Sequence, residues 1–167
     1  MKLGTSDDRP TPDARHTRST LVVGGFVLAA VLSTRWVRLN TSPSVPLGLY
    51  RLAPVSTPLT RGTLVVLPVP ASVHPWQHMP LLKPVAGVPG DAVCVRAAAL
   101  TINGVDYGPV LHEAAGKPLP WHPGCHLIPD GAVFLASQAP RSLDSRYFGP
   151  VPVTSLTATA DPLWTWR

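Results

Sequence analysis

Three short segments hold the side chains that could do chemistry together. Ser44 sits in Asn40-Thr41-Ser42-Pro43-Ser44-Val45-Pro46-Leu47-Gly48-Leu49-Tyr50, and Lys83 heads Lys83-Pro84-Val85-Ala86-Gly87-Val88-Pro89-Gly90-Asp91. A polar run follows at Ser142-Leu143-Asp144-Ser145-Arg146-Tyr147-Phe148-Gly149. A serine hydroxyl is a poor nucleophile and needs a base within hydrogen-bond reach. Lysine serves as that base only when neutral, and its usual pKa near 10.4 leaves almost none neutral at pH 7. Burial among apolar groups disfavours the ammonium and lowers the pKa. The neighbours of Lys83 fit: Leu81, Leu82, Pro84, Val85 and Ala86 carry no charge, and Pro84 biases Lys83 toward extended backbone. Ser44 and Lys83 are therefore a candidate nucleophile and base for acyl transfer. Each feature alone has a plainer reading. Ser42-Pro43-Ser44-Val45-Pro46 reads as a polyproline-like linker, a lone lysine as a surface charge, and Asp144 with Arg146 as an exposed ion pair of little worth. The ordered set is what favours chemistry.

Taken together, the three segments resemble the boxes of the signal peptidase family of serine–lysine proteases. The Asn-x-Ser-x-Ser-x-Pro-x-Gly-x-Tyr pattern of residues 40–50 is most similar to the conjugative-transfer (TraF-type) branch. The resemblance implies that Ser44 attacks the scissile carbonyl and that Lys83 takes and returns its proton. It implies that the Ser42 hydroxyl and the Ser44 N–H form the oxyanion hole, that Ser142 orients the lysine, and that Asp144 and Arg146 brace the site. It also implies a mainly β, signal-peptidase-like catalytic domain with one N-terminal transmembrane helix, placed in a bacterial inner membrane with the catalytic domain in the periplasm. Three departures stand out against general signal peptidases: Val45 follows the nucleophile where methionine is usual, Pro84 replaces an arginine, and Ala136-Ser137-Gln138-Ala139-Pro140-Arg141 replaces a Gly-Asp-Asn-Arg run. The last points away from housekeeping secretion and toward a specialised substrate.

The rest of the chain must hold these residues in place. Its 167 residues have room for one domain with an anchor and a tail. Proline (21) and glycine (13) are too dense for long helices, while a hydrophobic share of 45% supplies a core, so the domain reads as β-rich with many turns. Ser19 to Thr34 carry no charge. Sixteen helical residues cover about 24 Å against a hydrocarbon core of roughly 30 Å, so the span is extended through Trp36, Val37 and Leu39, with Arg35 and Arg38 reaching back to headgroups. The expected organisation is a flexible cytoplasmic tail at 1–18, a transmembrane anchor at 19–39 and an extracytoplasmic peptidase domain at 40–167. Basic residues flank the span almost equally, so charge alone leaves its orientation open.

Strands are expected at 63–69, 81–88, 91–97, 126–128, 132–136 and 146–153. Asn103-Gly104 between Leu100-Thr101-Ile102 and Val105-Asp106-Tyr107 marks a hairpin with a type I′ turn. Residues 108–124 read as a loop insertion. Trp164-Thr165-Trp166 could pack on the core or meet lipid. Cys94 and Cys125 either form one disulfide or remain two buried thiols.

The formal charge of +5 comes from singly scattered residues without an interleaved aromatic pattern, which excludes a nucleic-acid reading. His74 and His78 are separated by Pro75, and His122, Cys125 and His126 lack a second ligand pair, so no metal is expected and no cofactor is called for. The function expected is a membrane-anchored serine endopeptidase whose partners are a bilayer and an exported precursor polypeptide, a pilin or secreted protein. The alternative is a non-catalytic pilus or secretion assembly factor that keeps a vestigial dyad.

Overall fold

The computed structural model describes residues 36–73, 79–120 and 123–166. The expected tail and the anchor up to residue 35 lie outside the described residues, as do His74, His78 and His122. Among the described residues no helix is long and apolar enough to cross a membrane.

A compact unit begins at Val37. Strand β1 (Val37–Asn40) pairs antiparallel with β2 (Leu47–Ala53), Val37 opposite Arg51 and Asn40 opposite Gly48. This corrects the expected helical span through Leu39: the backbone of Val37–Leu39 is satisfied by a sheet ladder, so a spanning helix has to stop before Val37. β3 (Leu64–Leu67) and β4 (Leu81–Gly87) follow, then β5 (Ala92–Arg96), β6 (Ala99–Ile102) and β7 (Val105–Pro109). Asn103 and Gly104 both take positive φ, 49° and 82°, as the type I′ turn between β6 and β7 requires. The expected loop at 108–124 contains a small hairpin, β8 (Glu113–Ala114) and β9 (Lys117–Pro118), turned by Ala115 and Gly116 with φ of 51° and 72°. β10 (Gly124–Leu127), β11 (Ala132–Leu135) and β12 (Val151–Pro152) complete the middle of the domain.

Two differences from expectation matter for the site. The segment expected as a strand at 146–153 starts with one helical turn, α1 (Ser145–Phe148). Asp144 caps it by accepting from the Arg146 N–H, and Gly149 ends it with φ 78°. These capping signals override the β preference of Tyr147 and Phe148. The nine-residue β13 (Ala158–Trp166) was not anticipated, because Asp161-Pro162 interrupts its pattern; the strand accommodates the interruption with a shift of register between Pro162 and Trp164.

The larger sheet runs β1-β2-β13-β3-β4-β11-β12, and a second runs β10-β5-β6-β7. β13, late in sequence, thus lies between the β1–β2 hairpin and the β3–β4 pair. In a flat sheet β1 and β4 would stand about 19 Å apart, at about 4.8 Å per strand. Instead Arg38 on β1 donates to the carbonyl of Pro80, just before β4. The sheet is therefore strongly curled. A small core of Val45, Tyr50, Val66, Leu82, Ala158 and Ala160 fills this region, contributed by β2, β3, β4, β13 and the β1–β2 connection. Two further clusters pack β4 and β11 against the second sheet and against β3. Cys94 and Cys125 are directly opposed on β5 and β10 and joined as a disulfide.

Candidate active site

Ser42 and Ser44 sit on the connection between β1 and β2, and one buried side chain shapes it. Asn40, 5% exposed, donates from Nδ2 to the carbonyls of Ser42 (2.8 Å), Val45 (3.2 Å) and Pro46 (3.0 Å). Its Oδ1 accepts from the Ser42 N–H at 3.2 Å, the contact of an Asx turn. The Tyr50 hydroxyl donates to the Pro46 carbonyl at 2.6 Å. Gly48 has no room for a side chain, since a Cβ there would strike the Trp164 carbonyl oxygen of β13. The spacing of Asn40, Pro46, Gly48 and Tyr50 in the first segment is thus the spacing of a clamp around the serine loop. In the sequence these residues belong to the motif but carry no reactive chemistry of their own that reveals this task. The Asx-turn chemistry of an asparagine ahead of Thr-Ser-Pro was the signal available.

Lys83 comes from the middle of β4, opposite Val65 of β3, and is 3% exposed. Its Nζ lies 2.6 Å from Ser44 Oγ and 3.0 Å from Ser142 Oγ. Ser44 Oγ also lies 3.3 Å from Ser142 Oγ and 3.2 Å from Ser42 Oγ. Burial pushes the Lys83 pKa down from 10.5 to about 8; the negative charge of Asp144 opposes this and the positive charge of Arg146 assists it. In the neutral state Ser44 can donate its proton to the Nζ lone pair, Nζ–H can donate to Ser142, and Ser142 can donate to Ser44 Oγ. The three groups then form a closed ring of hydrogen bonds.

The polar run that carries Ser142 is held by a buried ion pair. Asp144 and Arg146 are both fully enclosed, with Nε 2.8 Å from Oδ1. Asp144 also accepts from the Ser137 N–H at 3.1 Å. The Arg146 guanidinium donates to the carbonyls of Ser137 (2.6 Å), Pro109 (2.7 Å) and Tyr107 (3.3 Å). A fixed planar fork suits this pattern, which joins the Ser142 segment to β7. Two partners in this frame were not anticipated. Ser145 Oγ accepts from the Leu135 N–H at 3.0 Å, and Tyr147 Oη accepts from the Leu111 N–H at 3.0 Å. Asp91, at the end of the second segment, is also buried. Burial alone would raise its pKa, but hydrogen bonds from the Val88 N–H and Asn103 and the bond and charge of Arg61 hold it below the usual carboxylate range. It locks the turn after β4.

The dyad opens onto a cleft of about 500 Å³ walled by Pro43, Leu81, Ala139, Pro140 and Leu143. A neighbouring groove lies between Pro43, Val45 and Leu47 on one side and Thr165 and Trp166 on the other. The arrangement supplies a nucleophile, a desolvated base, a hydroxyl that can face a developing oxyanion, and room for an extended peptide. Among the described residues no cluster of His, Cys, Asp or Glu could hold a metal ion.

A nucleophile loop and a buried lysine on a curled β-sheet define a class, and comparison with known proteins gives it a family. A model of the signal peptidase family, peptidase S26, matches residues 15–166. The conjugal transfer protein TraF of Agrobacterium tumefaciens is 35% identical over 92% of this chain and 99% of its own. A probable conjugal transfer protein TraF of Sinorhizobium fredii is 33% identical, covering 84% and 86%. A plasmid transfer protein TraF of Escherichia coli is 27% identical, covering 91% and 97%. Signal peptidase I of Enterococcus faecalis aligns structurally over 62% of this chain and 97% of its own, at 24% identity and a TM-score of 0.39. The chain belongs to the S26 signal peptidase family, in its TraF-type branch.

Proposed function

We propose that this protein is a membrane-anchored serine endopeptidase that processes an exported precursor, the pilin of a conjugative transfer system, at the outer face of the inner membrane. The observation that carries the reading is the buried Lys83 amine 2.6 Å from Ser44 Oγ at the floor of an open cleft. Ser44 passes its proton to Nζ as Oγ attacks the scissile carbonyl, forming the C–O bond of a tetrahedral intermediate. The Ser42 hydroxyl and the Ser44 N–H face the oxyanion, a contribution that typically lowers the barrier by about 3–4 kcal/mol per donor. Lys83 then returns the proton to the leaving amine as the C–N bond breaks. Water, deprotonated by the neutral lysine, releases the acyl group; a second amine could replace water and join two peptide ends.

The TraF relatives support conjugative transfer as the setting. A bilayer location is supported by one face of the β1–β2–β13 ribbon. Leu39, Leu49 and Trp164 stand in one row across it, with Leu39 55% and Trp164 66% exposed, and Leu47 is paired with Trp166 on the same side. Tyr50 faces the core from the opposite side.

The test is mass spectrometry of a co-expressed candidate pilin. Wild-type protein should shorten it, whereas Ser44→Ala and Lys83→Arg should leave it full length while remaining folded. Arginine stays protonated and cannot act as base. Processing that survives Lys83→Arg would show the assigned base to be wrong, and processing that survives both variants would favour a non-catalytic assembly factor.

A further inference from the structure

We propose that Arg141 forms a carboxylate-binding subsite in the Ser44 cleft and selects precursors that carry a carboxylate close to the scissile bond. The inference rests on the peptidase reading for its link to cleavage, but the subsite itself stands on three observations.

The first is placement. Ala139-Pro140-Arg141-Ser142 forms a turn in which the Ser142 N–H donates to the Ala139 carbonyl at 3.0 Å. Proline in the second position suits such a turn. The turn presents Arg141 next to Ser142, whose hydroxyl touches both Lys83 and Ser44. Arg141 therefore lines the same cleft as the dyad.

The second is an uncommitted charge. Arg141 is exposed and, among the described residues, has no ion pair or hydrogen bond. The nearest acid in sequence, Asp144, is enclosed with Arg146. Among the described residues no Asp or Glu lines the cleft.

The third is the state of the other cation. Lys83 must be neutral to act as base, so in the reactive protein Arg141 is, among the described residues, the charge that remains in the cleft. A guanidinium meets a carboxylate through two parallel hydrogen bonds. Walls made by Pro43, Leu81, Ala139 and Pro140 lower the local dielectric, which strengthens such a pair relative to one in open water. The carboxylate could belong to an Asp or Glu side chain, or to the C-terminus of a substrate cut close to its end.

The experiment uses the full chain in detergent micelles and a panel of internally quenched, alanine-rich peptides. Members differ only in Glu, Gln or Lys at single positions around the cleaved bond, or in a free against an amidated C-terminus. With wild-type protein, kcat/KM for the favoured Glu peptide should exceed that of its Gln partner about fivefold, the upper end for a pair with one exposed member. The preference should shrink with added salt. Arg141→Ala should bring the two peptides to the same value, and Arg141→Glu should favour Lys. If the free and amidated peptides differ while Glu and Gln do not, the carboxylate is the substrate's C-terminus. Equal rates for every charge, or a Glu preference that persists in Arg141→Ala, would overturn the proposal. Binding of the same peptides to Ser44→Ala, read by fluorescence anisotropy with and without Arg141→Ala, separates this idea from the peptidase reading. Charge-selective binding without wild-type cleavage would sink the peptidase and keep the subsite. Charge-blind binding with cleavage would sink the subsite alone, and absence of both cleavage and charge-selective binding would sink both.

Discussion

Titrating the protein tests the proposed peptidase directly, because on that reading the neutral amine of Lys83 is the base, and its burial is also an energetic cost of the fold. The drop from 10.5 to about 8 corresponds to roughly 3 kcal/mol favouring the neutral form. At pH 7 about one molecule in ten then carries a neutral lysine, against about one in three thousand at the ordinary value. kcat/KM should rise about tenfold per pH unit below 8 and level off above it. Stability should follow in a defined direction. In the unfolded chain the amine keeps its proton up to about 10.5, whereas in the folded protein it gives it up near 8. Between these values the unfolded state binds more protons, so stability rises with pH across that window, by up to about 3 kcal/mol, and has no slope from this group below it. Lys83→Met removes the titrating group and fills similar volume. It should abolish cleavage, flatten this part of the stability profile and stabilise the protein at pH 7 by up to about 2–3 kcal/mol. The assays are a pH series of peptide cleavage and a matched series of melts for wild type and Lys83→Met in the same detergent. A cleavage midpoint above about 9.5, or parallel stability profiles for the two proteins, would refute the assignment of a desolvated base.

Three further outcomes follow from the geometry. Asn40→Ala removes four hydrogen bonds from the serine loop, so kcat should fall about a hundredfold or more with KM little changed, while the midpoint of the pH profile stays near that of wild type; circular dichroism checks the fold. Arg146→Met leaves the enclosed Asp144 carboxylate without its charge partner and should cost about 3–5 kcal/mol in a melt, and adding Asp144→Asn should recover part of the loss. Reducing Cys94–Cys125 opens a link between residues 31 apart in sequence and should lower stability by about 3–4 kcal/mol in paired melts with and without reductant.

How much of this was legible in the sequence depended on the range of the interaction. The hairpin at Asn103-Gly104 is written in two adjacent residues, and the structure has it with the expected turn. β4 was readable from its continuous apolar run, and with it the enclosure of Lys83. The helical turn at Ser145–Phe148 overlaps the segment expected as a strand at 146–153, even though Asp144 and Gly149 carry its caps: the turn is only four residues long, and Tyr147 and Phe148 prefer strand. The clamp made by Asn40 depended on carbonyls that converge only once the loop is folded. β13 was out of reach for a different reason: its partners are β2 and β3, about a hundred residues earlier, and nothing local in Asp161-Pro162-Leu163 signals them. Arg146 in isolation resembled a surface charge. Its enclosure follows from carbonyls offered by β7 and by Ser137, which no spacing rule specifies.

The position of β13 has a temporal consequence. The serine arrives on one hairpin and the lysine on another, and the strand that fastens the two together is made after both. A nascent chain that has already emerged as far as Lys83 still lacks the wedge that sets the distance between Ser44 and Lys83. The approach of Ser44 to Lys83, and with it the chemistry proposed for the pair, is thereby deferred until synthesis has passed residue 166.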